Sequence, residues 1–216
     1  AAAAAGAAAA AGAGAAVCVQ LEEQDLPTFK ALFSKCEPVA NIGAALGRPD
    51  LVELGKRYIA MNTEGKGEMA SWSAMNKLAT TAENRYWVIR RKSKGERNEE
   101  DGVVVGSVGV QLPSEPPTSA MANQSAAEKV KQAQLVRLYV DDSCRRQGLA
   151  KQLVSTLKEY ALSRSATSVW LTTPSINTPA IAFYTSAGFR VACTFMAPSP
   201  FDRLELTVLT SSLIPP

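Results

Sequence analysis

Six consecutive residues carry the strongest chemical signal in the chain: Arg145, Arg146, Gln147, Gly148, Leu149 and Ala150. They follow the apolar run from Leu135 to Val140 and open a long amphipathic segment. A strand that ends in a basic, glycine-containing turn and then starts a helix aims several backbone N–H groups and a helix N-terminus at one spot. That arrangement suits a phosphate, which makes the turn a candidate pyrophosphate cradle. The common phosphate loops do not account for it, because Gly-x-x-x-x-Gly-Lys-Ser/Thr is absent and Gly-x-Gly-x-x-Gly does not occur in this turn. A single glycine at a strand–helix junction is also ordinary turn chemistry, so the turn needs support from elsewhere in the chain.

Support comes from the segment between Asn177 and Phe189, one helix and one strand downstream. Asn177 is a sound helix N-cap and Pro179 fits a first turn; Phe183 and Tyr184 form an aromatic pair, and Gly188 can close the helix in a left-handed conformation. An Arg-x-x-Gly-x-Ala turn followed by such a segment, in that order, resembles the two signatures of the GNAT acetyltransferase superfamily. The resemblance covers about Val17 to Leu209. Within the superfamily, the stretches from Tyr86 to Ile89, Val104 to Gly109 and Gln134 to Leu138 look most like the camello-like N-acetyltransferases. Those relatives carry a hydrophobic membrane hairpin before the catalytic domain, and the stretch from Cys36 to Arg57 is too polar and too short to match it.

The resemblance implies attack of a neutral primary amine on the thioester of acetyl-CoA, the co-substrate, with loss of the CoA thiolate. Leu138, Tyr139 and Val140 match the strand that holds the pantetheine arm through backbone groups. Backbone amides from Arg145 through Arg146, Gln147, Gly148, Leu149 and Ala150 would hold the pyrophosphate, with the two guanidinium groups adding charge. Tyr184 matches the position whose phenol protonates the departing thiolate, against the plainer reading of a core aromatic beside Phe183. Asn177 would orient CoA or cap its helix, the two readings weighing evenly. The acceptors the resemblance favours are small molecules, amino acids or cysteine conjugates. The alternatives are N-terminal or lysine acetylation of proteins and peptides, and a non-catalytic CoA-binding module.

No general base can be assigned, because the chain has no histidine and Gln134 stands where some histone-type members hold Glu. Asp141 and Asp142 are the nearest acidic groups, with turn capping the favoured role. Cys144 lies beside positive charge that would lower a thiol pKa, yet without a histidine partner a structural role is favoured. Cys18, Cys36, Cys144 and Cys193 have no metal-like spacing, so no metal is expected; reduced thiols suggest a cytoplasmic protein.

These groups need a scaffold, and 216 residues with 46% hydrophobic content can bury a substantial core. Residues 17–216 read as one domain, after a low-complexity Ala/Gly leader at 1–16 that lacks the features of a secretory signal. A formal charge of +3 is too slight to imply nucleic acid, and the basic run from Arg90 to Lys94 reads as a solvated hairpin turn. No apolar run reaches the roughly eighteen residues of a membrane span.

The pattern of elements predicts a mixed, mostly antiparallel α/β sheet flanked by helices on both faces, the arrangement that the resemblance also implies. Strands are expected at Val17 to Leu21, Tyr86 to Ile89, Val103 to Leu112, Leu135 to Val140, Ser168 to Thr172, Arg190 to Met196 and Leu204 to Leu209. Helices are expected after Pro27 with Phe29, Leu32 and Phe33 inward, over Asp50 to Met61, over Gly65 to Thr81, from Gly148 to Ser163 and around Tyr184. In the fourth of these, Leu149, Leu153, Leu157, Tyr160 and Ala161 mark the buried stripe. Pro38 to Pro49 reads as a loop, Pro198 to Pro200 as a hairpin turn, and residues 113–132 as a mobile insertion. The resemblance allows a homodimer through the last hairpin.

Overall fold

A computed structural model of the chain describes residues 17–64, 84–91, 102–112, 132–197 and 204–214. In chain order they form β1 (Val17–Gln20), α1 (Leu26–Cys36), α2 (Pro38–Ala45), α3 (Pro49–Thr63), β2 (Arg85–Arg91), β3 (Val103–Gln111), β4 (Gln132–Val140), α4 (Leu149–Ser163), β5 (Ser168–Pro174), α5 (Thr178–Ser186), β6 (Arg190–Met196) and β7 (Glu205–Ser212). The leader, the helix expected over Gly65 to Thr81, the charged turn after Arg91, residues 113–131 and the turn at Pro198 to Pro200 lie outside the described residues.

The strands make one sheet in the order β1-β2-β3-β4-β5-β7-β6. Only the central β4–β5 pair is parallel; the others are antiparallel. Strand alternation explains why both faces are covered. In β2, Tyr86 and Val88 pack with Phe29, Leu32 and Phe33 of α1, whereas Trp87 and Ile89 pack with Leu153 and Leu157 of α4. A strand buried on both faces needs a helix layer on each. The inward residues of α1 fall at helical spacing, and those of α4 are Leu149, Leu153, Val154, Leu157 and Ala161. Tyr160 sits at the margin of that stripe, edge-on to Trp87 with ring centres 5.2 Å apart.

Three expectations are corrected. Arg90, read as the start of a solvated hairpin turn, lies in β2 with its side chain 10% exposed. The loop expected between Pro38 and Pro49 is mostly helix: α2 runs from Pro38 to Ala45, and only Leu46 to Arg48 turn before α3. The Glu37 carboxylate accepts the N–H groups of Val39 at 3.0 Å and Ala40 at 2.6 Å, and Pro38 fits the first turn. Gly43 reads as a loop former in the sequence but is a packing residue, since a Cβ there would lie 2.7 Å from Leu51 Cβ on α3. Gln132, expected in the insertion, instead begins β4 and pairs with Ser168 of β5. Among the described residues, no helix is long and apolar enough to cross a membrane.

The turn before α1 is pinned to β2 by charge. Arg90 donates from Nε to Asp25 Oδ1 at 2.7 Å and from an Nη to Asp25 Oδ2 at 2.8 Å, and also reaches Glu22 at 3.0 Å. The Arg90 and Asp25 side chains are 10% and 4% exposed, so removing the guanidinium would leave a buried carboxylate unpaired. Arg90→Met is expected to lower unfolding free energy by about 3 kcal/mol, read from urea denaturation. A loss under about 1 kcal/mol would show that the pair behaves like a surface ion pair.

Candidate functional site

The site begins where two strands part. β4 pairs with β5 only over Gln132 to Gln134 against Ser168 to Trp170, then continues to Val140 along β3 alone. β5 goes on to Pro174 with β7 as its partner. The Asp141 N–H donates to the Val105 carbonyl of β3 at 2.8 Å. Because strand backbone groups alternate in direction, those of Val140 and Leu138 turn to the opposite, open edge. Tyr139 turns its backbone to Ser107 of β3 and its ring to the α1 layer. The Val140 carbonyl also accepts a weak bond from the Cys36 thiol at 3.7 Å.

A β-bulge sits at the mouth of this fork. Ser107 faces Tyr139 and Gly109 faces Val136, so Val108 alone stands opposite Arg137 and Leu138. Arg137 adopts a left-handed φ of 54°, and its carbonyl accepts from Ser107 Oγ at 3.1 Å. Such a bulge bends the strand and re-aims its side chains.

Beyond Val140 the chain turns through Asp141 to Gly148 into α4. Asp141 accepts from the Ser143 N–H at 2.9 Å, the Ser143 hydroxyl at 2.6 Å and Lys35 at 2.6 Å. The Lys35 ammonium, and after it the Ser143 hydroxyl, pull the Asp141 carboxyl down to about 2. Cys144 is 1% exposed beneath the turn and accepts from Arg91 at 3.2 Å, a structural placement. Arg145 is paired with Asp142 at 2.6 Å, while Arg146 is exposed with φ 64° and Gln147 leans on the Ser143 carbonyl at 3.5 Å. Gly148 has φ 81° and opens α4 with no side-chain cap. The N–H groups of Leu149 and Ala150 in its first turn therefore meet no capping side chain. Nothing lies within 4 Å of where a Gly148 Cβ would stand, so that side is open to a ligand.

From the other arm of the fork, Asn177 caps α5 by accepting from the Ala180 N–H at 3.4 Å, and donates to Thr173 Oγ1 at 3.4 Å. Tyr184 is buried on α5 between Phe183 and Phe189, with ring centres at 5.3 and 5.6 Å, both edge-on. Burial drives its phenol well above the usual tyrosine range. Tyr139 is raised as well, by burial first and then by Tyr58; Arg137 opposes the rise, and Glu37 and Tyr184 add to it.

A second group of side chains, missed in the sequence, gathers around Tyr139. Phe33 meets the Tyr139 ring at 5.4 Å and the Tyr58 ring at 5.9 Å. The Arg137 guanidinium lies 5.8 Å over Phe33 and donates to Asn62 Oδ1 at 3.3 Å. These residues come from α1, α3 and β4, with no local motif to announce them. The only readable signal was Tyr58 and Asn62 four positions apart, on one face of α3. Buried Glu37, raised by desolvation, is occupied as the cap of α2. Gln134 stands at the last β4–β5 pair, opposite Trp170.

Comparison with known proteins places this geometry. Residues 57–189 match the family model described as "Acetyltransferase (GNAT) family". The chain is 39% identical over 105 residues to N-acetyltransferase 8 of Homo sapiens, covering 49% of this chain and 38% of that protein. It is 36% identical over 92 residues to N-acetyltransferase 8 of Rattus norvegicus, covering 43% and 37%. The chain therefore spans well under half the length of these curated relatives. Among solved structures, an N-acetyltransferase from Staphylococcus aureus Mu50 superposes with a TM-score of 0.60 at 16% identity, over 93% of this chain and 99% of that one, a likeness of fold.

Two outcomes are expected from the turn. Gly148→Val forces a β-branched residue into a left-handed backbone at the open cradle. It should weaken acetyl-CoA binding about tenfold or more in calorimetric titration while circular dichroism stays unchanged. Unaltered affinity in a folded variant would remove the turn from the cofactor site. For Asp141, the folded carboxyl lies below the unfolded value of about 3.9. Its stabilisation is complete above about pH 4 and lost as pH falls toward about 2. The stability gap between wild type and Asp141→Asn should be flat above that window and close within it, as read from urea midpoints. A gap constant through the window would exclude Asp141 as the titrating group.

Proposed function

Since the chain belongs to the acetyltransferase (GNAT) family, we propose that it moves an acetyl group from acetyl-CoA to a primary amine by direct attack, with residues 17–216 as one catalytic domain. The observation that carries this reading is the fork. Its open edge at Leu138 and Val140 runs toward the uncapped N-terminus of α4, and its other arm, β5, leads into α5, which carries Tyr184. A ligand with a peptide-like arm and a pyrophosphate fits that line: backbone amides for the arm, then N–H groups from Arg146 to Ala150 for the phosphates, the Arg145 N–H being donated to the Asp142 carbonyl at 3.3 Å. Arg146 adds charge, whereas Arg145 is held by Asp142.

When bound, acetyl-CoA supplies an activated acyl group and a thiolate leaving group. Tyr184 keeps its proton through neutral and alkaline pH because burial disfavours the phenolate. The same apolar surroundings raise the proton affinity of a departing thiolate, so donor and acceptor stay matched. Asp141 is a poor base, because Lys35 and Ser143 hold its carboxylate in the ionised, hydrogen-bonded form. The acceptor amine must then arrive neutral, which favours α-amino groups over the more basic lysine side chain.

The acceptor side is assigned to the face of Tyr58 and Tyr139 over the buried Phe33 ring. Its rings suit an apolar body, and the Arg137 charge suits an acid group on the same molecule. A small amino acid or cysteine conjugate fits this description better than a long peptide.

The test is release of free thiol from acetyl-CoA across a panel of simple amines, amino acids, cysteine S-conjugates and short peptides. Turnover is expected with acid-bearing small amines. Tyr184→Phe should lower kcat by roughly ten- to a hundredfold and leave the acetyl-CoA KM within about twofold. Turnover of peptides alone would move the assignment to protein acetylation. Tight CoA binding with no turnover of any acceptor would favour a non-catalytic module.

A further inference from the structure

Lys158 is a half-buried charge that belongs to neither the cradle nor the acceptor side, yet it ties α4, which opens from the cradle, to the end of α5, which carries Tyr184. It lies on α4 ten residues past Gly148 (158 − 148), about 15 Å along the helix. Its ammonium donates to the Ala187 carbonyl at 3.0 Å and to Ser211 Oγ at 3.0 Å, and sits 4.5 Å from the centre of the Phe189 ring. One side chain of α4 therefore grips the C-terminal cap of α5, the residue that leads into β6, and β7.

These contacts lead directly to Tyr184. The N–H groups of Ala187 and Phe189 both donate to the Tyr184 carbonyl at 3.0 Å, and the Phe189 ring meets the Tyr184 ring edge-on at 5.6 Å. Between them, Gly188 takes a left-handed φ of 85°, a joint at which the end of α5 could otherwise swing. An apolar side chain would cover Phe189 without losing hydration. An ammonium gives up water there and gains direction, because its bonds to a carbonyl and a hydroxyl fix both angle and distance. Burial lowers the Lys158 pKa, in keeping with a charge drawn partly out of water.

We propose that Lys158 is a positioning residue for acetyl transfer: by clamping Ala187, Phe189 and Ser211 it sets where α5 holds the Tyr184 phenol relative to α4 and the cofactor cradle. This rests on Tyr184 as the proton donor, and it assigns to α4 a second duty beyond presenting its N-terminus. The clamp acts on the donor and not on either binding site, so its loss should appear in kcat and not in KM.

The test is a double-mutant cycle of Lys158→Met and Tyr184→Phe, with kcat, both KM values and melting temperature measured for each protein. Lys158→Met keeps the apolar reach along Phe189 and removes the donors. Expected is a fall in kcat of about tenfold, with the acetyl-CoA KM within about twofold, and little further fall when Lys158→Met is added to Tyr184→Phe. Lys158→Arg, which keeps charge and donors, should recover part of the loss. An equal fall in both backgrounds, or a lower melting temperature with kcat unchanged, overturns the proposal and leaves Tyr184 in place as donor. No effect of Tyr184→Phe itself overturns the donor reading and the proposal with it. Should Lys158→Met not fold, the same cycle is read with Lys158→Gln, with the same outcomes deciding.

Discussion

The parting of β4 from β5 beyond Gln134 and Trp170 is the constraint from which the rest of the molecule follows. Backbone N–H and C=O groups inside a protein are almost always paired, and a strand in the middle of a seven-stranded sheet is the last place to leave them open. Here the sheet gives up half of one ladder at its centre. That cost is tolerable where water or a ligand can complete the bonding, which is the argument for proposing the cofactor arm at the fork. The parallel pairing matters too, because it requires a crossover helix. That crossover is α4, whose N-terminus emerges beside the end of the open edge.

Two faces of the sheet meet at this opening. Leu138 and Val140 pack toward the α4 core, whereas Tyr139 and Val136 pack toward α1. In an unbroken sheet those faces would be sealed from one another. Tyr184 belongs to the α4 layer and Tyr139 to the α1 layer. Both are raised by burial, so both remain neutral hydrogen-bond donors across the working range of a cell.

What could be read from the sequence was whatever is local. Apolar and β-rich runs marked the strands, and the spacing of Phe29, Leu32 and Phe33 marked α1. Gly148 and Asn177 marked helix starts, because caps and left-handed turns depend on a few neighbouring residues. The errors came where one residue type serves two purposes. Gly43 read as a loop because glycine usually punctuates structure, but here its missing side chain admits Leu51 of α3. Gln132 read as part of an insertion because one polar residue carries no pattern, yet it is the first rung of β4. The gathering of Phe33, Tyr58, Arg137 and Tyr139 was out of reach for a different reason. It exists only because α1, α3 and a bulged β4 converge, and the bulge depends on register with β3 that no single segment encodes.

The charges around the cradle show how the anion would be recognised. Asp141 is taken by Lys35, Asp142 by Arg145, and Arg91 leans on Cys144. These side chains are spent on holding the turn in shape. What faces the open space is backbone: the first-turn amides of α4 and the left-handed residues Arg146 and Gly148. Amides fixed in a frame lose no rotamer freedom when a ligand arrives, whereas a free Arg or Lys loses up to about 2 kcal/mol of it. Spending ion pairs on rigidity and leaving recognition to the main chain therefore lowers the cost of binding. In the same turn Arg145 is held by Asp142, while Arg146 stays exposed.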